Sequence, residues 1–83
     1  MKYLLRPSAE KQFAKLDHKI KSKIVKKLEF FIQAPNPLDF AERPINLEIG
    51  KYRFRIGDYR VIFDLEEEII VVLVVGHRKD IYR

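Results

Sequence analysis

The sequence contains no cysteine. Neither a disulfide framework nor a thiolate metal site is therefore available to it. A cysteine-free chain accords with a reducing compartment, and a cytoplasmic location is the expectation. Long apolar stretches are also missing. The longest, Ile69 to Val75, is far shorter than the roughly 20 residues that span a bilayer. Met1 to Ala9 hold two basic residues and a proline, but no apolar stretch of the kind a secretory signal carries. A soluble protein is expected. There are 2 histidines, His18 and His77, far apart and without a carboxylate at ligand spacing, so neither a metal nor any other cofactor is expected. No repeat, low-complexity tract or linker divides the 83 residues, and a single domain over residues 1–83 with a modest core is the natural reading.

What the chain has in quantity is charge. Charged residues make up 35% of it, and 17 Lys and Arg against 12 Asp and Glu leave a net charge of +5. A small basic domain is an electrostatic match for a polyanion.

Hydrophobic periodicity then gives an order of elements. Lys2 to Arg6 reads as a short strand, stopped by Pro7. Ser8 is placed to cap a helix to about Leu16, with Ala9, Phe13 and Leu16 on one stripe. Asp17 is the expected N-cap of a longer helix to about Gln33. Its apolar stripe is Ile20, Ile24, Leu28, Phe31 and Ile32, with Lys19, Lys21, Lys23, Lys26 and Lys27 mostly on the other side. These lysines read as a solvated face within reach of RNA. Ala34 to Pro44 holds three of the 4 prolines and is expected to be a loop. From Tyr52 the period becomes two, broken at Gly57-Asp58, a two-residue hairpin turn of type II′ or I′. Glu66 to Glu68 form the next turn, and Ile69 to Val75 has the composition of a central strand. The expected fold is α+β: a strand, a helical hairpin, then a three-stranded antiparallel meander with the helices packed on one face.

The Gly57-Asp58 turn sets a register. Arg55 falls opposite Arg60, and Tyr52, Phe54, Ile56, Tyr59, Val61, Phe63 and Leu65 line the core face. Arg53, Arg55 and Arg60 take the other face. With a three-residue turn at Glu66 to Glu68, Arg60 pairs with Val74. Ile69, Val71, Leu73 and Val75 then join the core face. Ile62, Ile70, Val72 and Val74 form an apolar strip beside the arginines, a surface suited to an amphipathic partner segment. Extending the alternation past Gly76 puts Arg78 with the arginines and His77 on the core side. Like charges placed directly opposite destabilise a strand pair by up to about 1 kcal/mol. Few acids are positioned to neutralise these, Asp64 being the nearest on the same face. A bound phosphate would relieve the repulsion, and arginine's planar fork suits phosphate oxygens.

Tyr52-Arg53-Phe54-Arg55-Ile56-Gly57-Asp58-Tyr59-Arg60-Val61-Ile62-Phe63, followed by Gly76-His77-Arg78-Lys79-Asp80-Ile81-Tyr82, resembles the RelE/ParE toxin superfamily, and the resemblance extends over the whole chain. RelE-like members cut messenger RNA in the ribosomal A site and are held in check by a cognate antitoxin. ParE-like members share the fold but inhibit DNA gyrase. The matching residues favour the RelE-like branch. The resemblance implies catalytic roles for Arg60, Arg78, Tyr82 and Arg55, and RNA contacts from Arg53, Lys51, Lys79 and His77. It also implies an antitoxin, the ribosome and messenger RNA as partners. The implied chemistry is metal-independent: a ribose 2′-OH attacks the adjacent phosphorus, leaving a 2′,3′-cyclic phosphate and a 5′-OH. Tyr82 is the first choice for the proton and His77 the second. Arg60→Ala or Arg78→Ala is expected to abolish growth arrest with the fold intact. The alternatives are a noncatalytic gyrase inhibitor and an inactive antitoxin-binding member.

Overall fold

In the computed structural model the described residues are 1–43 and 49–81. The elements are β1 (Lys2–Leu5), α1 (Pro7–Ala14), α2 (His18–Gln33), a 3-10 turn (Pro37–Phe40), β2 (Ala41–Glu42), β3 (Tyr52–Ile56), β4 (Tyr59–Glu66), β5 (Ile69–His77) and α3 (Arg78–Ile81). The strands form one sheet in the order β1-β5-β4-β3-β2. The fold is α+β, as expected, with two additions. β1 joins the meander as a parallel neighbour of β5, Lys2 beside Ile69 and Leu5 beside Val72. Within the expected proline loop, β2 adds a short edge strand, Ala41 opposite Phe54 and Glu42 opposite Arg53.

The second helix forms as its sequence dictates. The Asp17 side chain accepts from Lys19 N at 3.1 Å, and the apolar stripe buries Ile24, Leu28 and Phe31. The first helix differs. Pro7 opens it, where a missing N–H costs nothing, and Arg6 precedes it without a side-chain cap. Ser8 is used elsewhere: its hydroxyl donates to Leu73 O at 3.5 Å. Four residues on, Gln12 Oε1 accepts from Val75 N at 2.9 Å. β1 has ended by then, so α1 supplies side-chain partners to the stretch of β5 that no strand covers on that side.

Both helices pack on one face of the sheet. Ala9, Ile24, Leu28 and Phe31 meet Phe54, Ile56, Val61, Phe63, Ile70, Val72 and Val75 in one buried cluster. Its centre is aromatic: the Phe54 ring lies 4.5 Å from Phe31 and 4.4 Å from Phe63, centroid to centroid.

The β3–β4 register is as the turn predicts, with Arg55 opposite Arg60 and Phe54 opposite Val61. Gly57 has φ 61 and Asp58 does not share a positive φ, the type II′ pattern. The β4–β5 register departs from expectation. The turn is shorter than three residues, Glu66 pairing with Ile69, because Glu67 adopts φ 57. That one-residue slip reverses the faces of the first half of β5, so Ile70 and Val72 turn to the helices and Val71 away.

A bulge between Ile62 and Phe63 on the ladder then restores the expected parity: Ile62 pairs with Val74, and Arg60 with Gly76 rather than Val74. Val75 therefore faces the helices as expected, while Ile70 and Val72 do not share the arginine face. The apolar strip expected beside the arginines is not an open surface either. Ile62, Ile70 and Val72 are fully buried, and Leu73 and Ile62 close over Gly50, where a Cβ would come within 2.7 Å of Ile62 Cγ2.

Candidate site at the β3–β4 hairpin

The hairpin presents its arginines in three different settings. On β3, Arg53 and Arg55 share one carboxylate. Glu42 Oε2 lies 3.4 Å from Arg53 Nη2, and Glu42 Oε1 lies 3.7 Å from Arg55 Nε. Sequence reasoning misses this acid because it lies in an aperiodic proline-rich segment; only the pairing of β2 with β3 brings it alongside. The strand arginines are thus partly neutralised from within the fold, contrary to expectation. Arg55 keeps most of its surface, with its side chain 61% exposed, whereas that of Arg53 is 18% exposed.

Arg60 is buried, with 6% of its surface exposed. Its Nη1 donates to Gly57 O at 2.8 Å and to Tyr59 O at 2.9 Å, bending the side chain back to the turn that precedes it. Among the described residues no carboxylate pairs with it. The cation is fixed by backbone carbonyl dipoles, so its orientation is set before any ligand arrives. It is also part of what holds the turn, so Arg60→Ala is expected to disturb the fold as well as the site.

Arg78 opens α3 instead of continuing β5. Its backbone N–H donates to Asp58 O at 2.8 Å, and its Nε lies 3.7 Å from Asp58 Oδ1. β5 runs through Gly76 to His77 before the chain turns into α3, and Ile81 of α3 packs close enough that a Cβ on Gly76 would lie 3.3 Å from Ile81 Cγ1. Arg60 and Arg78, separated by 18 positions in the sequence, are both anchored on the two-residue turn Gly57-Asp58.

The remaining candidates are spread more widely. The backbone N–H of Lys51 donates to Asp64 Oδ1 at 2.8 Å, which ties the start of the hairpin to β4 and leaves the Lys51 side chain exposed. Lys79 is exposed on α3, and its N–H donates to His77 Nδ1 at 3.1 Å. His77 sits opposite Tyr59 with the rings edge to face, 5.3 Å apart. This is the core-side parity expected of it, away from Arg55. His77 and Tyr59 line an open groove of about 470 Å³, together with Gln12, Lys15 and Asp80. Tyr82 lies outside the described residues.

A family model described as the ParE toxin of the type II toxin–antitoxin system, parDE, matches residues 3–82. The chain belongs to this ParE toxin family. Two solved structures share its fold. One is the RelBE2 toxin–antitoxin complex from Mycobacterium tuberculosis, at 24% identity and a TM-score of 0.72, with 93% of this chain and 96% of that chain covered. The other is the intact RelBE toxin–antitoxin complex of E. coli, at 20% identity and a TM-score of 0.70, covering 92% of this chain and 94% of that one. At such identities the likeness is one of fold. No curated protein sequence matches the chain. The toxin family assignment agrees with the RelE/ParE superfamily that the hairpin and tail motifs resemble. It makes the chain a type II toxin of that superfamily.

Proposed function

We propose that this toxin is a metal-independent endoribonuclease that cuts messenger RNA in the ribosomal A site. The observation that carries the reading is the anchoring of two guanidinium-bearing residues, Arg60 and Arg78, on the same turn. In-line attack of a 2′-OH on phosphorus builds negative charge on the nonbridging oxygens, and fixed cations at that point lower the barrier. Arg60 and Arg78 serve as that clamp. Arg55, the more exposed of the strand pair, holds the RNA backbone, with Arg53, Lys51 and Lys79 adding to the field. Tyr82 is the proton-handling group, with His77 the alternative. The 2′-OH proton leaves as the O–P bond forms, the 5′-oxygen departs with a proton, and a 2′,3′-cyclic phosphate remains. A site with so little acid–base equipment depends on the ribosome to hold the substrate in line. A cognate antitoxin, as in the two complexes of similar fold, restrains it in the cytoplasm.

The burial of Arg60 and the ion pairs of Arg53, Arg55 and Arg78 favour a second reading. In it these arginines hold the fold and the toxin acts without catalysis, on DNA gyrase. Primer extension on messages from induced cells decides between them. Codon-phased cuts support the ribonuclease. Intact messages with broken DNA refute it in favour of gyrase, and intact messages with intact DNA refute both.

A further inference from the structure

Five lysines of α2 read from the sequence as a solvated face, but one of them reaches the hairpin. Lys23 Nζ lies 2.8 Å, and its Cε 3.7 Å, from the point a Cβ would occupy on Gly57. The ammonium therefore rests against the turn itself, beside the glycine that opens it. Cationic residues from three elements each contact this turn: Lys23 from α2 at Gly57, Arg60 from β4 at the Gly57 carbonyl, and Arg78 from α3 at Asp58. Asp58 answers Arg78 at 3.7 Å. Among the described residues no carboxylate pairs with Lys23 or with Arg60. An ammonium brought to a turn already bearing two guanidinium-bearing side chains is an arrangement that an anion stabilises. A lysine there offers three donors on a compact charge, which suits a phosphate oxygen.

We infer that Lys23 is a substrate-binding residue, contacting a backbone phosphate of the RNA where it crosses the hairpin turn. The inference rests on the ribonuclease reading above. It sets Lys23 apart from the other lysines of α2.

The inference is tested by single-turnover cleavage on ribosomes programmed with a short message, measured against toxin concentration. Wild type is run first, because a wild type that cuts nothing overturns the ribonuclease reading and the inference with it. Given a wild type that cuts, Lys23→Met raises the half-saturating concentration about five- to tenfold, the loss of one charged phosphate contact. Its limiting rate and melting temperature stay near wild type, and Lys23→Arg restores the affinity. Lys11→Met, which removes an equal charge from the exposed side of α1, stays near wild type. Wild-type affinity in Lys23→Met, or an equal loss in Lys11→Met, overturns the inference while leaving the ribonuclease reading in place.

Discussion

Arg60→Ala is the obvious first substitution at this site, and the structure predicts that it strikes the fold as well as the site. The side chain is 6% exposed, and its Nη1 makes two hydrogen bonds, to Gly57 O and Tyr59 O. A hydrogen bond from a charged donor contributes about 1.5 kcal/mol at the lower end of its range, so the two together contribute about 3 kcal/mol. The buried stem adds packing that alanine does not replace. A chain of 83 residues has a total stability of about 4–12 kcal/mol. The loss is therefore a large fraction of the whole, and the melting temperature should fall by about 12–24 °C. Arg60→Met keeps most of the stem and should recover part of the fall, separating packing from hydrogen bonding. Thermal unfolding followed by far-ultraviolet circular dichroism measures all three proteins. A melting temperature for Arg60→Ala within about 2 °C of wild type would refute the reasoning, because it would mean the turn does not depend on this guanidinium. Loss of toxicity in Arg60→Ala is informative about chemistry only beside that measurement. Arg55→Ala, on an exposed side chain, is the cleaner probe of charge.

Two further predictions concern stability. Glu67 holds φ 57 with a side chain, so Glu67→Gly should stabilise the protein by about 0.5–1 kcal/mol, read as a rise in the denaturant midpoint at unchanged slope. An unchanged or lower midpoint would count against strain at that turn. Burial, reinforced by the Glu29 carboxylate, pushes the Tyr3 phenol above its ordinary value of 10.0. The folded state thus holds this proton more tightly than the unfolded chain. The stability it supports is fully present below pH 10.0 and declines as pH rises through the folded value. Tyr3→Phe should flatten that alkaline decline in a stability–pH series, and an unaltered slope would show that another group causes it.

Local chemistry was legible in the sequence. The Asp17 cap, the apolar stripe of α2 and the Arg55–Arg60 register each depend on a few neighbouring residues, and all three are present. The β4–β5 pairing was not legible, because it turns on a positive φ at a glutamate and on a bulge, neither of which has a sequence signature here. Glu42 was missed for a different reason. Its role comes from a strand pairing across the proline-rich segment, and periodicity carries no information about such contacts. The site was read in part. The convergence of arginines at the hairpin could be counted from the turn, but the burial of Arg60 and the arrival of Lys23 are tertiary facts. Arg78 was placed by extending a strand that ends one residue before it.

The parallel pairing of β1 with β5 also dictates when the molecule can become complete. Residues 2–5 find their strand partner only in residues 69–72. During synthesis the first strand waits, unpaired, while the residues between it and β5 are made. Its closing contact is among the longest in sequence the fold contains, and contacts of that separation form late because the intervening chain must first be ordered. The helical hairpin and the arginine hairpin are local enough to form as they emerge. The sheet that unites them is not, so it closes only once β5 has been made.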